Sequence, residues 1–427
     1  MSSSSSATND APTRIDLDHN ATTRPLPEVV EVVARHLRES YANPGSRHAA
    51  GRVARRTLES ARERMAALLG AEPDEVIFTS GGTESINLFL FGATQGTPGT
   101  IALTAGEHPA TVEACRQLAA RGWKLHTLAV DSQGRLIPEQ YGRVGYARQL
   151  GTGDSRSPLV GTAHPTELPW DTLRLVTVIL AHNETGVVQD VAPLAERCRE
   201  RGVPLHLDAV QAVGKIPVDF RALGVAGLSL GAHKFHGPRG VGALLLKRGV
   251  RLAPHLFGGH QEQGRRPGTE PVALIAGMAK ALELWSERRE EIAARIAALR
   301  DRLERGLRDS CTPVIVHGEG AERLPNTLNI AFPGSDGEAL LVAVDLEGVA
   351  CSLGSTCASG SAEPAPALLA MGCPLEVARA SLRFSLGVDN TEDEMDEAIR
   401  RIARVVERLK KTSGNRSPSL SGRGLGG

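Results

Sequence analysis

Short apolar runs alternate with longer mixed segments through the middle of the chain. Runs of about four to eight residues that end at glycine, proline or small polar residues are typical of buried strands. The runs that fit this pattern are Val76–Thr79, Thr100–Thr104, Leu175–Ala181, Pro204–Leu207 and Gly227–Gly231. Because helical patterns separate these runs as far as Leu246, we predict an α/β fold whose mostly parallel sheet is covered by helices on both faces.

The last third of the chain predicts a smaller α+β unit. Its predicted elements are a long helix from Glu270, strands near Val314–His317 and Thr327–Phe332, and a helix over Gly337–Asp345. The final helix begins with a capping box formed by Thr391 and Glu394. One apolar stripe of this helix is predicted to face the core: Met395, Ile399, Ile402, Val406 and Leu409.

These patterns divide the chain into a large and a small domain flanked by tails. The predicted divisions are a disordered tail at 1–12, a segment at 13–40 that packs with the small domain, a large domain at 41–270, a small domain at 271–411 and a disordered tail at 412–427. The stretch Gln140–Trp170 has little periodicity, and we predict an insertion loop that decorates the surface rather than shaping a pocket.

Composition limits the possible function classes. The 49 basic and 49 acidic residues give a formal charge of zero, so no overall basic field attracts nucleic acid. Arginines cluster over Arg47–Arg64, but Glu59 and Glu63 are interspersed at helical spacing, which predicts a solvated helix face. No apolar run is long enough to span a bilayer, and the serine-rich start is unlike a signal peptide. Six cysteines without close pairing favour a reducing compartment, so we expect a cytoplasmic protein.

Two residues predict cofactor chemistry at the sheet edge. Asp208 follows the apolar run Pro204–Leu207, and Lys234 lies in the turn after Gly227–Gly231. Open α/β sheets bind ligands at the carboxyl ends of their strands. A carboxylate there can keep a pyridinium nitrogen protonated, while a lysine amine binds the aldehyde carbon of the same cofactor. The alternative is a helix-capping aspartate and a solvated loop lysine.

Three neighbouring segments favour the cofactor. Gly82 and Thr83 lie where an apolar strand passes through small residues into a helix, an arrangement that cradles phosphate. His108 follows the strand Thr100–Thr104 and could lie flat on a ring, and Asn183 could donate to the phenolate oxygen alongside Gln211. Taken singly, each has a structural alternative: an ordinary strand-to-helix turn, an exposed loop histidine and an Asn-Glu-Thr-Gly turn.

One cysteine differs from the other five in its surroundings. Cys357 is embedded in small polar residues from Ser352 to Pro364, which cannot form a core and predict an exposed loop with an accessible thiol. The others are predicted to be small buried hydrophobes: Cys115, Cys198, Cys311, Cys351 and Cys373. The alternative for Cys357 is a Ser/Gly linker that happens to contain a cysteine.

The motifs, in this order, resemble those of the NifS/IscS-type cysteine desulfurases, pyridoxal phosphate enzymes of aminotransferase class V. The matching segments are Leu17–Thr23, Asn43–Ser46, Thr79–Ser85, His108, Asn183–Gly186, Asp208–Gln211, His233–Lys234, Arg265–Thr269, Cys351–Ser361 and Leu382–Gly387. The resemblance implies aminotransferase fold type I, a homodimer and pyridoxal 5'-phosphate as cofactor.

The resemblance also implies a role for each matching residue. Lys234 binds the cofactor covalently, Asp208 pairs with the pyridinium, His108 stacks on the ring, and Asn183 and Gln211 hold the phenolate oxygen. The remaining cofactor contacts are made by phosphate ligands: Gly82, Thr83, His233 and, from the neighbouring subunit, Thr269. The family often has a serine where this chain has Gly231, so a phosphate contact is expected to be missing. We assign no metal ligand.

The implied reaction converts L-cysteine to alanine and leaves a persulfide on Cys357. Lys234 serves as base and Arg383 grips the substrate carboxylate, unless Arg383 is merely a half-exposed strand arginine. The persulfide sulfur passes to an acceptor protein such as an iron–sulfur scaffold. The alternatives are a selenocysteine lyase, a class V aminotransferase that does not need Cys357, and a non-catalytic scaffold protein.

Overall fold

The computed structural model describes residues 14–142, 166–353 and 364–414. Within these ranges the strands are β1 (Ile15–Asp16), β2 (Val76–Thr79), β3 (Thr100–Thr104), β4 (Lys124–Leu128), β5 (Leu173–Ile179), β6 (Leu205–Asp208), β7 (Gly227–Gly231), β8 (Gly242–Leu246), β9 (Ile315–Val316), β10 (Thr327–Ala331), β11 (Val349–Ala350) and β12 (Ser381–Ser385). The α-helices are α1 (Pro27–Glu39), α2 (Ala49–Leu68), α3 (Gly82–Ala93), α4 (Pro109–Ala119), α5 (Ala192–Arg201), α6 (Phe220–Leu223), α7 (Val272–Glu287), α8 (Arg289–Ser310), α9 (Gly337–Leu346), α10 (Pro366–Ala370), α11 (Leu375–Arg379) and α12 (Glu392–Gly414).

A seven-stranded sheet in the order β2-β8-β7-β6-β5-β3-β4 forms the centre of the described chain. The pairs from β7 through β6, β5 and β3 to β4 are parallel, whereas β8 is antiparallel to both β7 and β2. The inner strands are buried along their whole length because helices cover both faces. The prediction of an α/β fold with a mostly parallel sheet is confirmed.

A second core lies around a three-stranded antiparallel sheet, β12-β10-β9. Its apolar side chains come from that sheet and from helices α8, α9 and α12. β1 pairs in parallel with β11, which brings Ile15 and Leu17 into this core, whereas Val29 of α1 belongs to the core of the large sheet. The amino-terminal segment therefore connects the two cores.

Local signals near the carboxyl end agree with the structure in part. The capping box is confirmed, since the Thr391 hydroxyl accepts from the Glu394 N–H at 3.2 Å and the Glu394 carboxylate from the Thr391 N–H at 3.1 Å. The long helix predicted from Glu270 is instead two helices, α7 and α8, which meet at Arg288. The amphipathic pattern continues across this break and therefore did not reveal it.

The expectation of a solvated arginine-rich face on α2 is wrong for Arg62. Its side chain is buried and makes a bidentate ion pair with Glu262, with contacts of 2.8 and 2.7 Å. Glu262 also accepts from the backbone N–H of Phe78 at 3.1 Å. The pair therefore ties α2 and β2 to the chain that follows β8.

The insertion predicted over Gln140–Trp170 is wrong at its first residues. Gln140 and Tyr141 are buried, and the Gln140 amide exchanges hydrogen bonds of 2.7 and 2.9 Å with the backbone of Ala129. Residues 143–165 lie outside the described residues, as do the predicted tail at 1–12, positions 415–427 of the second tail, and residues 354–363 around Cys357. Among the helices of the described ranges, none combines the length and the apolar character needed to cross a membrane.

Candidate active site

Asp208 is the last residue of β6, at the carboxyl edge of the parallel strands. Its side chain is buried, and Oδ1 accepts a hydrogen bond from the Val210 N–H at 3.0 Å. Burial raises the pKa of Asp208 to about 6, because the ionised form loses its hydration. A cationic partner at this carboxyl would lower that cost.

Lys234 follows β7 in a single 3₁₀ turn over Ala232–Lys234. Its Nζ donates to the backbone carbonyls of Asn20 and Ala21 at 2.7 and 2.9 Å. Burial, and then the nearby Arg383 guanidinium, lower the pKa of Lys234 to about 8. A larger share of the amine is therefore neutral near physiological pH than in a solvated lysine, which favours attack on an aldehyde.

The predicted cradle lies at the start of α3. Within the described residues, no hydrogen bond satisfies the backbone N–H of Gly82 or Thr83, as expected for the first turn of a helix. Gly82 approaches the turn after Asp208 closely, since a Cβ on it would lie 2.6 Å from the Val210 side chain. A Cβ on Gly231 would lie 3.3 Å from the Gly82 nitrogen. The departure at Gly231 therefore lies beside the cradle and leaves it more open.

Two histidines approach this region in neutral form. His108 caps α4, where its Nδ1 accepts from the Ala110 N–H at 3.1 Å. Burial, and then the charge of Lys234, lower the pKa of His108 to about 4. His108 and Thr83 line one cleft of about 410 Å³. Burial also lowers the pKa of His233 to about 4, and its Nδ1 lies 3.3 Å from the Thr22 hydroxyl.

The amides of Asn183 and Gln211 each use one donor within the protein. The Asn183 Nδ2 donates to the Glu184 carboxylate at 2.6 Å, and the Gln211 Nε2 donates to the Asn20 carbonyl at 2.9 Å. An amide nitrogen carries two hydrogens, so each retains one more donor for a ligand. Asn20 contacts both residues, because its own Nδ2 donates to the backbone carbonyl of Asn183 at 3.0 Å.

Arg383, on β12, already holds two carboxylates. One terminal nitrogen donates to Glu184 at 2.9 Å and the other to Asp18 at 2.8 Å. The Glu184 side chain is 8% exposed and that of Asp18 is 28% exposed. The alternative of a half-exposed strand arginine is excluded, because Arg383 is 6% exposed.

Thr269 is exposed and makes no hydrogen bond to Gly82 or Thr83 within the described residues. The segment that carries it is nevertheless anchored near the cradle, because Arg266 makes a bidentate pair with Glu84 of α3 at 2.7 and 3.1 Å. Cys357, the predicted sulfur carrier, lies outside the described residues. Among the other cysteines, burial raises the pKa of Cys115 and Cys198 to about 12 and of Cys311 and Cys373 to about 11, so these thiols are held protonated.

Sequence reasoning did not assign roles to Asn20 or Lys215. Asn20 is buried, and its backbone carbonyl accepts from both Lys234 and Gln211. Lys215 is also buried, and its Nζ donates to the Asn20 Oδ1 at 2.8 Å and to the Gln211 Oε1. The spacing of four between Gln211 and Lys215, typical of one side of a helical turn, is the sequence signal that could have identified the lysine.

These groups fit the cofactor that the sequence predicts. Among the residues that the structure describes, the buried Asp208 carboxyl has no ion-pair partner, which suits a pyridinium, and the first-turn N–H groups of Gly82 and Thr83 have no acceptor, which suits a phosphate. A lysine of lowered pKa, Lys234, interacts electrostatically with that carboxyl and suits an aldehyde carbon. Their fit to pyridoxal phosphate rests on this combination of donors, charge and burial.

The comparison with known proteins agrees with this geometry. The family model described as aminotransferase class-V matches residues 15–144 and 163–397. A cysteine desulfurase of Nostoc sp. is 41% identical over 401 residues, which cover 93% of this chain and 94% of the relative. The cysteine desulfurase NifS of Azotobacter vinelandii is 40% identical over 96% of this chain and 95% of its own.

A solved structure gives the same result for the fold. A NifS-like protein superposes with a TM-score of 0.81 at 33% identity, covering 93% of this chain and all of its own. The chain therefore belongs to the class V aminotransferases, within their family of pyridoxal phosphate-dependent cysteine desulfurases.

Proposed function

We propose that this protein removes the sulfur atom of L-cysteine at the edge of the large sheet, releasing L-alanine and leaving the sulfur on Cys357. The observation that carries the proposal is the position of Lys234, whose partly neutral amine lies near the buried Asp208 carboxyl. Family membership supplies the reaction, and the following roles are our assignments to this chain's residues.

Pyridoxal phosphate, when bound, would withdraw electrons from the α-carbon of the substrate. Lys234 would hold the aldehyde carbon of the cofactor, and Asp208 would pair with the pyridinium nitrogen of the cofactor. The phosphate would be bound by the first turn of α3 at Gly82 and Thr83, together with His233. Because a serine hydroxyl is missing at Gly231, we expect water or backbone to supply that contact.

The side chains around the ring have separate tasks. His108, neutral because its pKa is about 4, can stack on the ring without bringing a positive charge. Asn183 and Gln211 each direct a remaining amide hydrogen to the ring oxygen. Lys234 Nζ, once released by the substrate amine, accepts the proton from the α-carbon and returns it to carbon as the alanine forms.

Arg383 would bind the substrate carboxylate through a bidentate contact. In the structure its guanidinium is engaged by Glu184 and Asp18, so a substrate must displace one of them. We assign that exchange to Asp18, because its side chain is the more exposed of the two. Glu184 then remains in place and fixes the orientation of the guanidinium.

Sulfur transfer would take place at Cys357. Its thiolate attacks the sulfur of the substrate, a new S–S bond forms, and the C–S bond breaks with its electron pair moving to the substrate carbon. That carbon is protonated, so the products are L-alanine and a Cys357 persulfide. The two thiols supply the hydrogens, and no external oxidant or reductant is required for this step.

We further propose that two copies of the chain assemble as a homodimer, in which Thr269 contributes to the phosphate site of the neighbouring copy. The exposure of Thr269 and the anchoring of its segment by Arg266 at the cradle support this assignment. The persulfide would pass to an acceptor protein such as an iron–sulfur scaffold, in the cytoplasm. The balance of 49 basic and 49 acidic residues gives no reason to expect nucleic acid or a membrane as a partner.

The decisive experiment incubates the purified, cofactor-loaded protein with L-cysteine, with and without dithiothreitol, and quantifies alanine and sulfide. We expect catalytic alanine formation with the reductant and sulfide in equal amount. Without reductant, alanine should stop near one equivalent per Cys357. Alanine formed only when pyruvate is added as acceptor, with no matching sulfide, would indicate an aminotransferase. Turnover of L-selenocysteine without turnover of L-cysteine would indicate a selenocysteine lyase.

A further inference from the structure

We propose that Lys215 is a positioning residue that fixes the amide of Gln211, so that the nitrogen of this amide faces the ring oxygen of the cofactor. This inference rests on the proposed function and adds a role for Lys215. Lys215 lies four residues after Gln211, in the turn that leaves the carboxyl end of β6.

The contacts of Lys215 are unusual for a buried lysine. The residue is 8% exposed, and within the described residues it forms no ion pair with a carboxylate. Instead, its Nζ donates to two amide oxygens, the Asn20 Oδ1 at 2.8 Å and the Gln211 Oε1. Burying an amine without a counter-ion is costly, which is why structural lysines are rarely found in such a place.

These contacts determine where the oxygen and the nitrogen of the Gln211 amide lie. A lysine amine that donates to Gln211 requires an oxygen in that position, because the amide nitrogen cannot accept a hydrogen bond. On the other side of the amide, the Asn20 backbone carbonyl can only accept, so it requires the nitrogen, which donates to it at 2.9 Å. A reversed Gln211 amide would place its oxygen against the Asn20 carbonyl oxygen and its N–H groups against the Lys215 amine. Lys215 and Asn20 therefore hold one orientation.

The same contacts orient Asn20, which connects the site to both domains. Its Oδ1 also accepts from Asn326 at 3.0 Å, so its Nδ2 is left to donate to the Asn183 carbonyl and to Thr327. Its backbone carbonyl receives Lys234 at 2.7 Å. Lys215 is thus linked through a single residue to the other proposed donor of the ring oxygen, Asn183, and to the catalytic amine.

The orientation of the Gln211 amide affects the protonation of the bound chromophore. Burial and the nearby Lys234 and Arg383 lower the pKa of Lys215 well below its usual value, so Lys215 acts as an N–H donor to Gln211 rather than through a full positive charge. A donor aimed at the ring oxygen stabilises its anionic form and weakens the hold of the Lys234 nitrogen on its proton. Losing Lys215 should therefore raise the pH at which the bound chromophore loses that proton.

The test uses the absorbance spectrum of the cofactor-loaded protein between pH 6 and pH 10, without substrate. For Lys215→Met we expect the midpoint of the spectral transition to rise by on the order of one pH unit, the effect of losing one hydrogen bond that orients the amide. Lys247→Met, at an exposed position outside the site, is the matched control and should leave the midpoint unchanged.

A double-mutant cycle separates positioning from a general charge effect. If Lys215 acts through the amide, Lys215→Met should add almost nothing in a Gln211→Met background. Additive shifts, or an unchanged midpoint in folded Lys215→Met, overturn the inference. A lowered thermal unfolding temperature with an unchanged midpoint would show a structural role only, and would also overturn it.

Two further results keep this inference separate from the proposed function. If Lys215→Met does not fold, the cycle is repeated with Lys215→Gln, whose side chain is one bond shorter and cannot keep both contacts. The midpoint must again move, and only when Gln211 is present. If the unchanged protein shows no pH-dependent chromophore at all, the proposed function fails; if it does and the variants do not shift it, only the role of Lys215 fails.

Discussion

The guanidinium of Arg383 donates to the Asp18 carboxylate at 2.8 Å, although the two residues are 365 positions apart. This contact brings the amino-terminal segment to the position that the substrate carboxylate is proposed to occupy. Asp18 therefore acts as an internal competitor for Arg383.

Replacing Asp18 should tighten substrate binding. We expect Asp18→Asn to lower the KM for L-cysteine by about fivefold, because the neutral amide competes less well for the guanidinium. The affinity for the product L-alanine, followed by the absorbance of the bound cofactor, should rise equally. Asp171→Asn, at an exposed loop, is the control and should leave both unchanged. A higher KM for Asp18→Asn would mean that Asp18 orients the guanidinium rather than competing for it.

Lys234 should be the only lysine that carries the cofactor covalently. After borohydride reduction, mass spectrometry is expected to find the adduct on the peptide that contains Lys234 and to find none in Lys234→Ala. Because the pKa of Lys234 is about 8, covalent uptake by cofactor-free protein should accelerate with pH up to about that value and then level off. An adduct on Lys215 instead would contradict the assignment.

Asp208 should reduce the stability of the cofactor-free protein at neutral pH. Its pKa is raised from 3.8 to about 6 in the folded protein, so its penalty is absent in acid, grows as the pH rises from 3.8 to about 6, and stays constant above that. At pH 8 we therefore expect cofactor-free Asp208→Asn to be more stable by ~2 kcal/mol.

Urea unfolding at pH 8 and at pH 4 measures this difference, which should disappear at the lower pH. The same variant should bind pyridoxal phosphate much more weakly, because a neutral amide cannot hold the pyridinium proton. Equal stability of the two proteins at both pH values would show that the buried carboxyl carries no penalty.

Cys357 should be needed for sulfur transfer and not for cofactor binding. Cys357→Ala is expected to keep the cofactor spectrum and its change on adding L-cysteine, while losing sulfide release. Cys373→Ala is the matched control, since the pKa of this thiol is raised to about 11 and its substitution should leave sulfide release unchanged. Full sulfide release by Cys357→Ala would contradict a persulfide at this position.

The pair formed by Arg62 and Glu262 should stabilise the large domain. Glu262→Gln is expected to lower the free energy of unfolding by ~3 kcal/mol, because it removes the buried, bidentate charge partner of Arg62 and leaves only the more exposed Glu59. Glu59→Gln provides the comparison: Glu59 contacts the same arginine from a more exposed position, and its loss should cost less than ~1 kcal/mol. Equal losses measured by urea unfolding would show that burial does not distinguish the two partners.

The sequence by itself determined what depends on neighbouring residues along the chain. Apolar runs of strand length predicted the parallel sheet, and Thr391 with Glu394 marked the start of the last helix, because hydrophobic periodicity and capping are local properties. Asp208 and Lys234 were found at strand ends for the same reason. The order of motifs then indicated the family and its cofactor.

Only the tertiary structure decided which distant residues meet. Lys215 contacts Asn20 across 195 positions, and Arg62 contacts Glu262 across 200. The spacing of four between Gln211 and Lys215 places these two residues together, but no local signal shows that Lys215 reaches Asn20 or that Arg62 reaches Glu262. The physical reason is that burial and pairing arise from strand order and domain packing, which bring the amino-terminal segment, the sheet edge and β12 to one place.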